Sequence, residues 1–125
     1  MIALLESEAG ADRVEAVLRN ESTILPWVVL MEIHYVTLRE SGRGEANRRH
    51  ALLKALPSEM RWDTNEATVL KAATLKAKFR LSFADALIAA IASECGATLL
   101  HKDPEMDALA GVVDLESLPY KPTAA

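Results

Sequence analysis

The chain has 125 residues, with fourteen Lys and Arg against eighteen Asp and Glu, for a formal net charge of −4. Half of the residues are apolar and 26% are charged, a balance of ordinary globular proteins rather than disordered ones. One cysteine, Cys95, excludes an internal disulfide, and the longest apolar run, Ile24 to Met31, is well short of the roughly twenty residues of a membrane span.

At about 150 residues per domain, the length predicts one domain over residues 1–125. The lone cysteine fits a reducing, cytoplasmic setting. The opening Met1-Ile2-Ala3-Leu4-Leu5-Glu6 lacks the basic flank of a signal peptide and already reads as helix interior. That first helix is expected over residues 1–9, stopped by Gly10. A second helix follows over about 11–19, with Val14, Val17 and Leu18 inward. Ser22 to Leu25 reads as a strand. Pro26 suits the first turn of the next helix, which runs to about Ser41 and ends at Gly42. Glu45 to Leu56 forms another helix, with Leu52, Leu53 and Leu56 inward. Met60–Trp62 reads as a strand and Glu66–Lys78 as a helix. Ser82–Cys95 is an apolar helix stopped by Gly96. Ala97–Leu100 is a strand, Pro104–Leu109 a short helix and Val112–Leu115 the last strand. Strands alternating with helices imply an α/β fold whose parallel sheet is covered on both faces.

Charge is unevenly spread. Residues 39–80 carry ten basic and five acidic groups, whereas the segments before and after them are acidic. A basic middle fits contact with a polyanion. Solvated helix faces explain it as well, and on charge alone that is the preferred reading. Trp27 and Trp62 are expected as core anchors, His34 and His50 as surface or packing residues, and Cys95 as a small buried apolar residue.

Ligands of open α/β sheets bind at the carboxyl ends of the strands, so acids there or among apolar neighbours are candidates. Glu32 has Val28, Val29, Tyr35 and Val36 as helical neighbours and reads as projecting from an apolar face, where it needs a cation, a hydrogen bond or a proton. A structural salt bridge would also satisfy it. Asp85 sits among Leu81, Ile88 and Ala89, but Ser82-Phe83-Ala84-Asp85 also matches a capping box. Asp103 follows a strand directly, and it also suits the cap of a helix starting at Pro104. One explanation covers all three: they converge on a hard divalent cation, Mg2+ or Mn2+, for phosphodiester chemistry.

The run Leu81-Ser82-Phe83-Ala84-Asp85-Ala86-Leu87-Ile88-Ala89-Ala90, followed by Gly96-Ala97-Thr98-Leu99-Leu100-His101-Lys102-Asp103, resembles the C-terminal signature of PIN-domain proteins, above all VapC-type ribonuclease toxins. The likeness extends over essentially the whole chain. It implies a three-layer α/β fold, a short parallel sheet flanked by helices, and an acidic Mg2+ or Mn2+ site made by Glu32, Asp85 and Asp103. It further implies endoribonuclease activity on RNA, homodimerisation and neutralisation by an antitoxin. Two departures stand out. His101 takes the place of the family's Thr or Ser two positions before the last acid; a lone strand-end histidine reads as structural before it reads as a proton carrier or ligand. The family's first, central strand and its Asp have no counterpart before Met1. A start lying upstream, a degenerate toxin that folds but cuts poorly, or a strand supplied by another chain would each account for that, and a monomer without the strand is expected to be poorly stable. The rival function is therefore a weakly active module that binds antitoxin or RNA. A receiver domain, which wants paired acids after its first strand, is a distant third.

Overall fold

The computed structural model describes residues 9–119. The helix expected over 1–9 falls almost wholly outside them; Ala9 and Gly10 form a turn. Two compact units divide the chain, one up to Asp63 and one from Thr64.

In the first unit, Gly10 adopts the left-handed conformation (φ 94°) and opens α1, Ala11–Asn20. Val14 is buried, and the Asn20 side chain donates to the Ala16 carbonyl at 2.9 Å, which closes the helix. β1 (Ile24–Pro26) pairs in parallel with β2 (Glu59–Arg61), Leu25 opposite Met60. Pro26 is the last strand residue and caps α2, Trp27–Ala55.

α2 is two helical arms joined at Gly42, whose φ of 84° and ψ of 179° interrupt the helix where the sequence puts a stop. Such a backbone is essentially glycine's alone. The arms fold back on each other. Buried Thr37 donates to the Ile33 carbonyl at 2.7 Å and accepts from Arg49 of the second arm at 3.4 Å. Glu45 receives hydrogen bonds from Arg48 and Arg49, which hold its carboxyl down at about 2. Leu25, Leu30, Ile33 and Leu53 form the core, flanked by Val29, Leu56 and Met60. Each such buried side chain stabilises the fold by roughly 1.5–3 kcal/mol. An exposed ion pair such as Arg19–Glu15 contributes about 0–1, so apolar packing dominates. Of the three leucines expected inward, Leu53 is buried at 2% and Leu56 half-buried, whereas Leu52 is 42% exposed.

In the second unit, α3 (Glu66–Lys78) begins at Asn65, whose side chain accepts from the Thr68 amide at 2.9 Å. α4 (Phe83–Glu94) packs on α3 and buries Ala86, Leu87, Ala89, Ala90, Ile91 and Ala92. The Thr68 hydroxyl donates to Glu94 at 2.7 Å and ties the pair. Gly96 (φ 60°) ends α4, and the Ala97 amide returns to the Ala92 carbonyl at 2.9 Å. β3 (Leu99–His101) pairs in parallel with β4 (Leu115–Ser117), across a 3-10 helix at Pro104–Leu109.

The last strand thus starts three residues later than the sequence suggests. The Val112 and Val113 amides both donate to the Leu109 carbonyl, at 2.9 and 3.0 Å, and close the 3-10 turn instead of joining the ladder. The α/β class and the parallel pairing hold; among the described residues the strands form two sheets of two strands each. No helix among the described residues is long and apolar enough to cross a membrane.

Candidate functional site

Asp85 and Asp103 both lie in the second unit, each at the start of a helix. Asp85 is half-buried in the first turn of α4, and its amide donates to the Ser82 hydroxyl at 3.1 Å. The capping pattern read from Ser82 to Asp85 is therefore real on the hydroxyl side. Asp103, also half-buried, caps the 3-10 helix: its Oδ1 accepts from the Glu105 amide at 3.0 Å. Of the two acids, Asp103 acts as a cap through its carboxylate, whereas Asp85 is held through its amide.

His101, the last residue of β3, is buried at 7% exposure. Its Nδ1 accepts from the Asp103 amide at 3.2 Å, and its Nε2 lies 3.8 Å from Asp107 Oδ1. The ring is thus anchored to the backbone at Nδ1.

Glu32 belongs to the first unit, on the first arm of α2. It is exposed, not wedged into an apolar face, and forms no hydrogen bond or ion pair with a described residue. The reason is that the arm carries two apolar stripes. Val28, Leu30, Ile33 and Thr37 turn to the core, whereas Met31 (64% exposed), Tyr35 (54%) and Leu38 (43%) turn outward. Glu32 lies beside the second stripe, so its neighbours in sequence do not bury it.

That outward stripe forms an open apolar cleft of about 550 Å3, whose lining includes Trp27, Met31, His34, Tyr35, His50 and Trp62. The His34 and His50 rings meet edge to face, 5.8 Å between centroids. Trp62, expected in the core, is 56% exposed at the rim. Arg39 stacks over Tyr35 at 5.6 Å and donates to its hydroxyl at 3.0 Å. Sequence reasoning missed the cleft, although Trp27, Met31, Tyr35 and Leu38 recur at helical spacing and spell it out.

The basic middle divides by role. Arg48 and Arg49 are held by Glu45, Arg39 by Tyr35, and Lys76 donates to the Leu81 carbonyl at 2.9 Å. Arg43, Lys78 and Arg80 are exposed and have no ion pair among the described residues.

The donor chemistry of the three acids is all-oxygen and fits a hard cation such as Mg2+ or Mn2+. Among the described residues, no three His, Cys, Asp or Glu side chains form a group that holds a metal ion.

A family model described as PIN domain matches residues 1–112 of the chain. No curated protein matches it. Among solved structures, VapBC2 from Rickettsia felis bound to a promoter DNA fragment is similar at 16% identity, with a TM-score of 0.73 over 94% of this chain and 91% of that one. VapBC-1 from nontypeable Haemophilus influenzae gives 19% identity and 0.65 over 86% and 82%. DNA-bound VapBC from Salmonella typhimurium gives 14% and 0.68 over 93% and 89%. At these identities the likeness is one of fold.

Proposed function

The chain belongs to the PIN domain family, and from that premise we propose that it is a metal-dependent endoribonuclease, the toxin of a toxin–antitoxin pair working in the cytoplasm. The observation that carries this reading is the family match over residues 1–112. The likeness of fold to VapBC structures supports the toxin assignment.

Glu32, Asp85 and Asp103 would hold Mg2+ or Mn2+. When bound, such a cation supplies charge stabilisation at a phosphoryl oxygen and a more acidic water. The chain's own part is orientation. Ser82 fixes the first turn of α4 and with it Asp85, and the cap to Glu105 fixes Asp103. Arg43, Lys78 and Arg80 have their cationic groups available for phosphates of an RNA strand. The apolar cleft of the first unit offers an antitoxin a surface for large apolar side chains. Exposed Leu70 (61%) and Phe83 (74%) suit a homodimer contact.

The test is Mn2+-dependent cleavage of RNA by the full chain. Cleavage is expected, and Asp85→Ala and Asp103→Ala should each lower it at least about a hundredfold, as loss of a metal ligand does. Unchanged cleavage in both variants would sink the site assignment. The second reading, a module that binds antitoxin or RNA without cutting, is favoured by the lack of a three-ligand group among the described residues. Retained RNA or antitoxin binding without any cleavage by the wild-type chain selects it.

A further inference from the structure

We propose that Met31 is a redox-sensitive modification site: oxidation of its thioether to the sulfoxide turns the cleft of the first unit polar and closes it to apolar side chains. The oxidation stands by itself. Its consequence for a partner rests on the cleft being the antitoxin surface, as proposed above.

Met31 lies on the outward stripe of the first arm of α2. Trp27 precedes it by four residues, and His34, Tyr35 and Leu38 follow it by three, four and seven. All of them line the cleft. That spacing sets the side chain on one helical face between two aromatic residues, where a polarizable thioether makes favourable ring contacts. Its sulfur is also the accessible one. Met31 is 64% exposed, whereas Met106 is buried at 3% and Met60 packs half-buried against the core. Core packing does not call for a thioether here, because Leu30 and Ile33 of the same arm fill the core.

The chemistry needs only an oxidant of the peroxide class. The sulfur lone pair attacks one peroxide oxygen, and the S–O bond forms as the O–O bond breaks. The leaving hydroxide takes the proton of the transferred oxygen and departs as water. Sulfur is oxidised by two electrons and the peroxide reduced by two. A sulfoxide reductase drawing on two thiols reverses the step, with a disulfide and water as products. The oxidised side chain is polar where the thioether was apolar. A partner that seats an apolar group against it must strip water from an S=O dipole, which weakens binding. The core is untouched, so the fold stays.

The chain carries its own reporter, because its two tryptophans, Trp27 and Trp62, both line the cleft. The full chain is treated with hydrogen peroxide, and each methionine is followed by peptide mass spectrometry. Anilinonaphthalene sulfonate, an apolar dye that takes excitation from nearby tryptophans, probes the cleft. Met31 should oxidise at least about tenfold faster than Met106. Its oxidation should change the tryptophan emission and weaken dye binding at least about fivefold, with the melting temperature unchanged. Met31→Leu should bind the dye like the untreated wild type and keep that binding through peroxide. Met31→Gln, which places a polar group there without peroxide, should bind as weakly as the oxidised chain. The half-buried Cys95 is a second peroxide target, and both variants retain it. Oxidation of Met31 no faster than that of Met106 overturns the site. Unchanged dye binding by the sulfoxide overturns the effect on the cleft, as does a Met31→Leu chain that loses binding in peroxide. If Met31→Gln weakens dye binding but leaves the antitoxin complex intact, the antitoxin reading of the cleft falls and the redox site stands.

Discussion

The unit ending at Asp63 gathers exposed aromatic and apolar side chains around an open cleft, whereas the unit beginning at Thr64 buries a histidine beside a helix cap. Trp62, Tyr35 and Met31 are each more than half exposed, around a cleft that the core does not need. In the second unit the unusual group is an imidazole, buried at 7% and tied to the backbone of a candidate ligand. The difference is one of tolerance. A surface built for contact accepts small shifts, because a partner brings its own fit. An acid that binds a cation accepts few, because metal–oxygen distances vary little.

The contrast is easiest to break in the first unit, by comparing a core residue with a cleft residue. Leu53→Ala should destabilise the protein by about 2–5 kcal/mol in denaturant unfolding, since it empties a fully packed site. Trp62→Ala should cost stability no more than about 0.5 kcal/mol, yet, if the proposed antitoxin docks in the cleft, weaken its binding by roughly 2 kcal/mol, about thirtyfold. A Trp62→Ala chain as unstable as Leu53→Ala would make the tryptophan a core residue after all. Next in size is Gly42→Ala. A Cβ there meets nothing within 4 Å, so the expected loss of about 1–3 kcal/mol comes from backbone strain alone. Unaltered stability would show that the arms can meet without that conformation.

In the second unit, Ser82→Ala should remove about 1 kcal/mol by loosening the first turn of α4. Under the proposed function, RNA cleavage should fall by more than the stability loss explains, because Asp85 sits in that turn. The smallest effect is the pH dependence of the Arg48–Glu45–Arg49 cluster. Glu45 is held at about 2 against an ordinary 4.5, first by Arg48 and then by Arg49. A folded value below the unfolded one means stability that is present above about 4.5 and is lost as pH falls toward 2. Melting curves of the wild type and Glu45→Gln should therefore converge over that interval.

How much of this was legible varies with the kind of signal. The bounds of α3 could be read directly, because Asn65 caps it and the sequence has no competing stop. Gly42 was legible as a break, since no other residue suits its backbone. The acids at helix starts were also legible, but their neighbours could not distinguish a cap from a ligand, and Asp103 is a cap in either case. Glu32 misled because its helix carries two apolar stripes: periodicity tells that a stripe exists, not which one the core takes. The last strand was misplaced because the two valines that look most strand-like close a turn with Leu109. Nothing in the sequence marks a carbonyl that accepts twice.

Gly42 has a further consequence, for connectivity. β1 and β2 run parallel, so the chain leaving Pro26 must come back to the end where β1 began before Glu59 can pair. A straight helix of 29 residues would carry it about 44 Å away, against the roughly 10 Å that a three-residue strand spans. With the break in the middle, the outbound arm and the homeward arm nearly cancel, and only a short stretch remains to be crossed. The register between the strands, Leu25 against Met60, is in that sense written at the far tip of the hairpin.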